Sequence, residues 1–224
     1  MKKRFDPSLL PPAPNISFEK KLWNAGINHV AGIDEAGRGA LAGPVVAAAV
    51  VLPPQPSIVE KLDGLKDSKQ LTPSQRAEWA ECLRNIALAW GIGFASHVEI
   101  DQQGIVPATR LAVQRAMANS KIEAEHLLLD YLFLPDDETP QTNLTKGDER
   151  SLSIAGASIL AKTTRDKLLI ELESEYPGYR FAQHKGYATS QHLEALDRLG
   201  PSPIHRFTFA PIKGSTQTLR SIQQ

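Results

Sequence analysis

Cysteine is almost missing from this 224-residue chain, which contains only Cys82 and therefore cannot form an internal disulfide bond. A chain of this length can bury a core large enough to be stable without disulfides or a structural zinc ion. A single unpaired thiol is typical of proteins from a reducing compartment. We therefore expect one domain in a cytoplasmic protein, with Cys82 as a small core residue of a predicted helix.

Long apolar segments are missing too. The chain starts with a basic segment, residues 1–7, and no long apolar run follows it. This pattern predicts neither a signal peptide nor a membrane span. Residues 1–16 are rich in proline, and we expect them to be poorly ordered. A single domain over residues 17–215 and a short tail, residues 216–224, are expected to follow.

The chain also has no net charge, because 25 lysine and arginine side chains balance 25 aspartate and glutamate side chains. This balance argues against a protein that coats nucleic acid by bulk charge. It is compatible with a local basic groove beside an acidic metal site. Zinc is not expected, because the scattered histidines and one cysteine lack the spacing of zinc ligands.

What the chain does contain is an alternation of apolar runs with helical segments. The predicted strands are residues 29–33, 45–52, 90–95 and 126–133, and the predicted helices are residues 18–25, 73–88, 107–119, 149–175 and 190–199. Thr72 and Gln75 have the types expected of a capping box. The first two strands lie close in sequence, and we expect them to pair in antiparallel fashion. This order of elements predicts an α/β domain with a mixed sheet.

Two adjacent carboxylates, Asp34 and Glu35, follow the first apolar run, and the segment Gly37-Arg38-Gly39 comes next. Carboxylates buried among strands are costly unless they hold a metal or share a proton. An arginine between glycines can bind a phosphate while the backbone approaches closely. Neighbouring side chains on a strand point to opposite faces, so both acids can serve one site only if the strand ends or bulges there. The alternative is one solvated and one helix-capping carboxylate.

Two further acids interrupt patterns that would otherwise be apolar or structural. Asp130 lies in the fourth apolar run, where it is either a ligand or a carboxylate at the surface end of a strand. Asp148 precedes the longest predicted helix and is either a ligand or an ordinary N-cap. Four such carboxylates would repel one another, and Mg²⁺ or Mn²⁺ prefers these oxygen ligands.

Seven short motifs occur in an order that covers roughly residues 29 to 211. They are Gly32-Ile33-Asp34-Glu35-Ala36-Gly37-Arg38-Gly39, Leu41-Ala42-Gly43-Pro44-Val45-Val46, Asp67-Ser68-Lys69, Lys146-Gly147-Asp148, Ala157-Ser158-Ile159-Leu160-Ala161-Lys162, His184-Lys185-Gly186-Tyr187 and Gly200-Pro201-Ser202-Pro203-Ile204-His205-Arg206. Together they resemble the type 2 ribonucleases H, the ribonuclease HII family. The resemblance implies a ribonuclease H-like fold, with a central mixed β-sheet flanked by helices and a helical C-terminal region.

The resemblance also implies roles for individual residues. Asp34, Glu35, Asp130 and Asp148 would be the catalytic metal ligands, with Mn²⁺ or Mg²⁺ as cofactor. The residues implied in substrate binding are Gly37, Arg38, Gly39, Ser68, Lys69, Lys162, Lys185 and Tyr187. The glycine-flanked arginine would sense a 2′-hydroxyl, which distinguishes RNA from DNA. Tyr187 would pack at the junction between a ribonucleotide and the next deoxynucleotide. The family usually has a glycine where this chain has Tyr131.

Several of these residues could instead have an ordinary structural role with no contact to a substrate. Each lysine could be a solvated charge, and Tyr187 could be a half-buried core residue. Arg165 is either a phosphate contact or half of a local ion pair with Asp166, and Ser158 either packs in the core or contacts nucleic acid. His205 and Arg206 receive no role.

The resemblance implies a metal-dependent endoribonuclease that cuts the RNA strand of RNA–DNA hybrids and single ribonucleotides embedded in duplex DNA. Two-metal-ion hydrolysis would leave 3′-hydroxyl and 5′-phosphate ends, in removal of RNA primers and misincorporated ribonucleotides. We expect a monomer that does not bind membranes. The alternatives are another nuclease or integrase of the same fold, a non-catalytic hybrid-binding module, and a phosphate-ester enzyme for small molecules. The separated lysines and Tyr187 favour a nucleic-acid substrate.

Overall fold

A computed structural model describes residues 5–214 of the chain. Its strands are β1 Val30–Ala36, β2 Val45–Val51, β3 Ala89–Ala95, β4 His126–Asp130 and β5 Gln141–Leu144. Its α-helices are α1 Ser17–Trp23, α2 Ile58–Lys61, α3 Pro73–Ile86, α4 His97–Gln103, α5 Ile105–Ser120, α6 Leu152–Glu175, α7 Phe181–His184 and α8 Ser190–Leu199. Helices and strands alternate along most of the chain, as the α/β prediction required.

The five strands form one mixed sheet in the order β3-β2-β1-β4-β5. The first three strands form an antiparallel meander, and β4 and β5 then join as parallel strands beyond β1. The antiparallel pairing of β1 with β2, predicted from the short segment between them, is confirmed. Because β1 and β4 are parallel neighbours, their carboxyl ends lie side by side at one edge of the sheet.

Helices cover both faces of the sheet. Ala31 and Ile33 of β1 pack in a buried cluster with α5 residues such as Ala112, and Ala36 of β1 packs in a second cluster with α6 residues such as Leu160. Alternation along β1 therefore directs every second side chain towards α6. Gly32 permits this packing, because a Cβ there would lie 2.2 Å from the backbone carbon of Ser153.

The C-terminal region is helical, as expected, and packs on the end of α6. A buried cluster joins Leu169 of α6 to Tyr179, Phe181, Ala195 and Ile204. The loop that follows α8 returns to the start of β2, where Gly43 N–H donates to the carbonyl of Ile204 at 2.9 Å. The last described segments are therefore fixed against the glycine-rich loop that connects β1 and β2.

Several predicted elements have different bounds in the structure. Helix α8 coincides with its prediction, and the capping box of Thr72 and Gln75 begins α3 as predicted. Strand β1 is longer than predicted, since it continues through Asp34 and Glu35 to Ala36. The prediction that β4 reaches residue 133 is wrong: Tyr131 adopts a left-handed backbone with φ of 57°, and the strand ends at Asp130.

Four elements, α2, α4, α7 and β5, were not predicted, and α2 and α7 are single turns of four residues each. Helix α4 has a capping box of Ser96 and Glu99 that predicts its start, but it is only seven residues long. Strand β5 is four residues long and mostly polar, with the sequence Gln-Thr-Asn-Leu, because it is the edge strand of the sheet. Short polar edge strands carry too little hydrophobic periodicity to be recognised from sequence.

The predicted domain bounds involve the ends of the chain, which lie partly outside the described residues. Residues 1–4 and the predicted tail, residues 216–224, are not described. Within the described part of the N-terminal segment, Asn15 pairs with Ser151 through backbone hydrogen bonds. The division into residues 1–16, 17–215 and 216–224 stays a prediction. Among the described residues, no helix is both long and apolar enough to cross a membrane.

Candidate active site

Three carboxylates converge at the edge of the sheet where β1 and β4 end. One oxygen from each of Asp34, Asp130 and Asp148 lies within 4.8 Å of the other two. These residues are 18 to 114 positions apart in sequence, and the fold brings them together. A group of three carboxylate oxygens at this spacing can hold a divalent cation.

Each of the three acids is presented by a different element. Asp34 lies on the face of β1 that packs against α6, two residues beyond Gly32. Asp130 is the last residue of β4, and its Oδ1 accepts a hydrogen bond of 2.8 Å from Gly147 N–H. Asp148 lies in a short 3₁₀ turn between β5 and α6, and the N-cap of α6 is Ser151. The alternative that Asp148 is the N-cap of the long helix is therefore wrong.

The carboxylates of this cluster are destabilised as anions. Burial, followed by the negative charges of Glu35 and Asp130, raises the pKa of Asp34 well above its usual value. Burial also raises the pKa of Asp130, and the hydrogen bond from Gly147 N–H only partly opposes the effect. Burial and mutual repulsion of this kind are relieved when a cation joins the site.

Glu35 lies beside the cluster and outside its closest group. Regular alternation on β1 directs it to the face opposite Asp34, but both residues line the same cleft. The reason is that β4 pairs with β1 only as far as Ile33, opposite Leu129, so Glu35 lies beyond that pairing. The Arg38 guanidinium donates to Glu35 Oε1 at 3.0 Å. Burial raises the pKa of Glu35, and the charge of Arg38 works against this rise.

A lysine supplies positive charge to the cluster. Lys69 Nζ donates to Asp148 Oδ2 at 2.8 Å and lies 3.7 Å from Asp67 Oδ1. Partial burial works against its charge, but the bond and the charge of Asp148 raise the pKa of Lys69 above its usual range. Asp67 in turn caps the short turn that presents the lysine, accepting from Lys69 N–H. One lysine does not balance all the carboxylates of the cluster, so the cluster still attracts a metal cation. Its all-oxygen donor set fits Mg²⁺ or Mn²⁺.

Asp34, Glu35 and Asp130 line an open cleft of about 360 Å³, whereas the buried Asp148 is not part of its lining. Its lining consists of Asp34, Glu35, Ala36, Gly37, Arg38, Gly39, Ser68, Lys69, Asp130, Ser158, Lys162 and Tyr187. All but one of the residues predicted for substrate binding are among them. The exception is Lys185, whose ammonium donates to the carbonyls of Ala182 and Gln183 and does not line the cleft. Its predicted phosphate contact stays a prediction.

The glycine-flanked Arg38 lies on a loop that two buried arginines hold in place. Arg165 donates to the carbonyls of Pro44 and Ala42 at 2.9 and 3.0 Å, and Arg206 donates to those of Gly43 and Arg38 at 3.0 and 2.9 Å. Both side chains are fully buried. The interpretation of Arg165 as a phosphate contact or half of an ion pair is therefore wrong, because its donors serve the backbone. Nothing in the sequence pattern distinguishes such an arginine from a surface one.

The two glycines of this loop, Gly37 and Gly39, have different surroundings. Gly37 has φ of 92°, and a Cβ there would lie 2.0 Å from Arg165 Nε, so the packing of the buried arginine requires a glycine. Gly39 is exposed, and a Cβ there would meet no atom within 4 Å. The backbone at Gly39 is therefore open to a ligand in the cleft.

A further part of the cleft wall consists of Ser158, Lys162 and Tyr187. The hydroxyls of Ser158 and Ser68 share a hydrogen bond of 3.0 Å, which favours the cleft over core packing as the setting of Ser158. Lys162 forms the local ion pair with Asp166, at 2.7 Å. Lys162 Nζ lies 5.6 Å from the centre of the Tyr187 ring. This wall thus presents hydroxyls, one ammonium and one aromatic ring to the acidic cluster.

Comparison with known proteins agrees with this geometry. A sequence model of the Ribonuclease HII family matches residues 31–212. The chain is 54% identical over 200 residues to the Ribonuclease HII of Synechococcus sp. (strain JA-3-3Ab), covering 89% of this chain and 90% of that one. It is 48% identical over 206 residues to the Ribonuclease HII of Dehalococcoides mccartyi (strain ATCC BAA-2266 / KCTC 15142 / 195), covering 89% and 94%.

A solved structure resembles the fold as a whole. The crystal structure of ribonuclease H2 from Pyrococcus horikoshii OT3 superimposes with a TM-score of 0.69 and 27% identity, covering 85% of this chain and 98% of that one. The expected ribonuclease H-like fold is confirmed. With its acidic cluster at the strand ends and a family match over most of its length, this chain belongs to the Ribonuclease HII family.

Proposed function

We propose that this metal-dependent endonuclease, which acts on RNA–DNA hybrids, also cuts single ribonucleotides embedded in duplex DNA, on the 5′ side of the ribonucleotide. The products carry 3′-hydroxyl and 5′-phosphate ends, and the enzyme serves in the removal of primers and misincorporated ribonucleotides. The observation that carries the proposal is the convergence of Asp34, Asp130 and Asp148, the first two of which line a cleft that an exposed glycine backbone and an aromatic ring also line.

The acidic residues act as ligands of divalent metal ions in this proposal. Asp34, Asp130 and Asp148 offer the nearest group of oxygens, and Glu35 adds a fourth carboxylate at the edge of the cleft. Two bound Mg²⁺ or Mn²⁺ ions would activate a water molecule and stabilise the leaving oxygen of a phosphodiester.

The basic residues of the cleft now pair with carboxylates, and on substrate binding they bind phosphates of the nucleic-acid backbone instead. Lys69 is paired with Asp148, Lys162 with Asp166 and Arg38 with Glu35. When cations neutralise the acids, these side chains become available for phosphate oxygens. The Lys69 side chain is 75% exposed and therefore has room to turn towards a substrate.

Selection of a ribonucleotide depends on the Gly37–Gly39 loop and on Tyr187. The open backbone at Gly39 lets main-chain groups reach a 2′-hydroxyl, the group that separates RNA from DNA. Arg165 and Arg206 keep the loop between β1 and β2 in position by donating to the carbonyls of Ala42, Pro44, Gly43 and Arg38. The ring of Tyr187, which also lines the cleft, packs against the sugar that follows the ribonucleotide.

The proposal is tested by incubating a DNA duplex that contains one ribonucleotide with the enzyme and Mg²⁺ or Mn²⁺, and by identifying the ends of both products. We expect a single cut 5′ to the ribonucleotide, with a 3′-hydroxyl and a 5′-phosphate. A cyclic 2′,3′-phosphate, or cleavage of a matched duplex made only of DNA at a similar rate, would rule the proposal out.

The role of Tyr187 is tested with Tyr187→Ala and Tyr187→Phe. Loss of a stacked ring costs about 1–3 kcal/mol, which corresponds to roughly 5- to 150-fold. We expect Tyr187→Ala to cut a single embedded ribonucleotide more slowly by such a factor, whereas Tyr187→Phe keeps most of the rate. Metal affinity, measured by calorimetry, should be unchanged in both. If Tyr187→Ala cuts this duplex at the normal rate, the ring is a packing residue.

A further inference from the structure

Two buried histidines, neither of which contacts the cleft, lie behind Tyr187. His192 on α8 and His205 in the loop after α8 are both completely inaccessible to solvent, and their Nε2 atoms are 3.0 Å apart. The other ring nitrogen of His205 meets Ser202, and that of His192 meets the carbonyl of Tyr187. The function proposed above does not use either histidine.

The hydrogen-bond partners at the two ends of the His205–His192 pair determine which ring nitrogens carry protons. His205 Nδ1 lies 2.8 Å from both the N–H and the hydroxyl of Ser202 and 3.2 Å from the Ser202 carbonyl. Because the N–H can only donate and is closer than the carbonyl, Nδ1 accepts and carries no hydrogen. Neutral His205 therefore has its proton on Nε2 and donates it to His192 Nε2. His192 then has its proton on Nδ1 and donates it to the Tyr187 carbonyl at 3.0 Å, which can only accept. Each of the four ring nitrogens has a partner of the correct kind.

The two rings are neutral in this arrangement. Burial, with the neighbouring histidine as a further cause, lowers the pKa of His205 to about 4. Burial likewise lowers the pKa of His192 to about 4. A proton added to either ring would place two N–H groups against each other or against the Ser202 amide. Because every ring nitrogen is already used, the pair has no lone pair left for a metal ion.

A third histidine extends the same support to the residue before Tyr187. His184 Nδ1 accepts from Gly186 N–H at 3.2 Å, and its ring stacks on His192 with centroids 4.3 Å apart. The carbonyl of Gly186 accepts from Leu41 N–H at 2.7 Å, and a Cβ on Gly186 would lie 2.8 Å from the carbonyl oxygen of Ala42. The segment that carries Tyr187 is thus attached to the loop that follows Gly39.

We propose that His205 and His192 are positioning residues, which form a directed hydrogen-bond relay from the Ser202 amide to the Tyr187 carbonyl and so hold the Tyr187 ring in the cleft. Ala42 pairs with His205 in a backbone bridge, so the relay is also attached to the loop between β1 and β2. This proposal extends the role given to Tyr187 above and rests on that role only for its effect on cleavage.

Two substitutions of similar size separate the two bonds of His192. In His192→Asn the amide nitrogen can occupy the place of Nδ1 and still donate to Tyr187, but the bond to His205 is lost. In His192→Gln the amide occupies the place of Nε2, and the donor to Tyr187 is lost. Both substitutions remove a buried ring, so a purely structural role predicts the same effect for both.

The first measurement is independent of catalysis. In full-length protein, nitrogen-15 spectra of the histidine rings at pH 7.5 should show His192 protonated on Nδ1 and His205 on Nε2. The carbonyl carbon shift of Tyr187 should change in His192→Gln and stay nearly constant in His192→Asn. The opposite tautomers, or equal changes in the two variants, would overturn the relay.

The second measurement is single-turnover cleavage of a duplex with one embedded ribonucleotide. His192→Gln should slow cleavage about fivefold, the usual effect of one lost hydrogen bond. His192→Asn should slow it less, because the donor to Tyr187 is kept and only its orientation by His205 is lost. In a Tyr187→Ala background, His192→Gln should have no further effect. Equal slowing in both backgrounds would show that the histidine does not act through Tyr187. A normal rate for Tyr187→Ala itself would refute the role of the ring, and the spectra would then decide the relay alone.

Discussion

At the scale of single residues, the acidic cluster is stable inside the protein only because positive charge balances it. Asp34 and Asp148 are buried, and burial of an unpaired carboxylate is costly. In the structure Lys69 balances Asp148 and Arg38 balances Glu35, while Asp130 accepts one backbone hydrogen bond. Among the described residues Asp34 forms no salt bridge, and it is compensated by the N–H of its neighbour Glu35 and a hydrogen bond with the Ser158 side chain. Asp34 therefore has the most to gain from a bound cation.

Asp130 is the last residue of β4, and the left-handed backbone of Tyr131 ends the strand directly after it. Asp130→Asn keeps the shape of the side chain and its bond to Gly147 N–H but removes a charge, so we expect cleavage to be lost while binding of the hybrid is kept or improved. Asp136→Asn is the matched control, since Asp136 lies exposed in the next loop. Cleavage rates at saturating metal would test this. A nearly normal rate for Asp130→Asn would remove the residue from the site.

Comparison of individual residues in the sequence and in the structure shows what a pattern of residue types can predict. Asp34, Glu35 and Asp148 interrupt or flank apolar runs, and that contrast indicated their importance. Arg165 and Arg206 were unpredictable, because a buried arginine that binds carbonyls has the same local sequence as an exposed one. Asp67 was likewise missed, because its effect on the site acts through the turn that holds Lys69.

At the scale of secondary-structure elements, close contacts between backbones set the position of the site. A Cβ on Gly93 of β3 would lie 2.0 Å from the carbonyl oxygen of Ala112 on α5, just as one on Gly32 would meet α6. Both helices therefore approach the sheet more closely than side chains would allow. Short or irregular elements escaped prediction for the opposite reason: β5 has few apolar residues, and β4 ends at a left-handed tyrosine.

Two glycine-to-alanine substitutions separate packing from ligand access. Gly93→Ala places a methyl group against the α5 backbone, and overpacking of this kind costs about 1–3 kcal/mol or more. Gly39→Ala meets no atom within 4 Å and should leave the free energy of unfolding nearly unchanged. Urea denaturation of both variants measures this difference. A loss of stability in Gly39→Ala comparable to that in Gly93→Ala would contradict the description of the loop as open.

The same Gly39→Ala variant tests ligand access independently of folding. Because a methyl group at this position occupies the space where the backbone would meet the ribose, we expect slower cleavage of an embedded ribonucleotide by a stable protein. The folded wild type and the Tyr187→Phe variant serve as references for the rate. A fully active Gly39→Ala protein would show that the substrate does not approach this part of the loop.

At the scale of the whole molecule, the absence of net charge restricts how the protein meets nucleic acid. The basic residues that line the cleft are Arg38, Lys69 and Lys162, and each is paired with a carboxylate. The family match covers residues 31–212, so the cleft and its supporting C-terminal region lie within one matched segment. Whether the protein is a monomer stays a prediction.

This small number of basic residues predicts a weak salt dependence of binding. Each neutralised phosphate contributes roughly −0.9 to the slope of log affinity against log salt for duplex DNA. The three basic side chains of the cleft therefore predict a slope of about −3. The slope can be measured by fluorescence anisotropy with a cleavage-resistant duplex in Ca²⁺ at several salt concentrations. A slope steeper than about −6 would show that the duplex contacts basic side chains well outside the cleft.

The central claim is that the carboxylates at the ends of β1 and β4 bind the divalent ions that this enzyme needs for cleavage. The most direct measurement is cleavage of a duplex with one embedded ribonucleotide by wild-type protein and by Asp34→Asn, each over a titration of Mn²⁺ and with metal binding followed by calorimetry. We predict saturable metal-dependent cleavage for the wild type, and weakened metal binding with loss of cleavage for Asp34→Asn despite retained duplex binding. Normal metal affinity and a normal rate in Asp34→Asn would contradict the account.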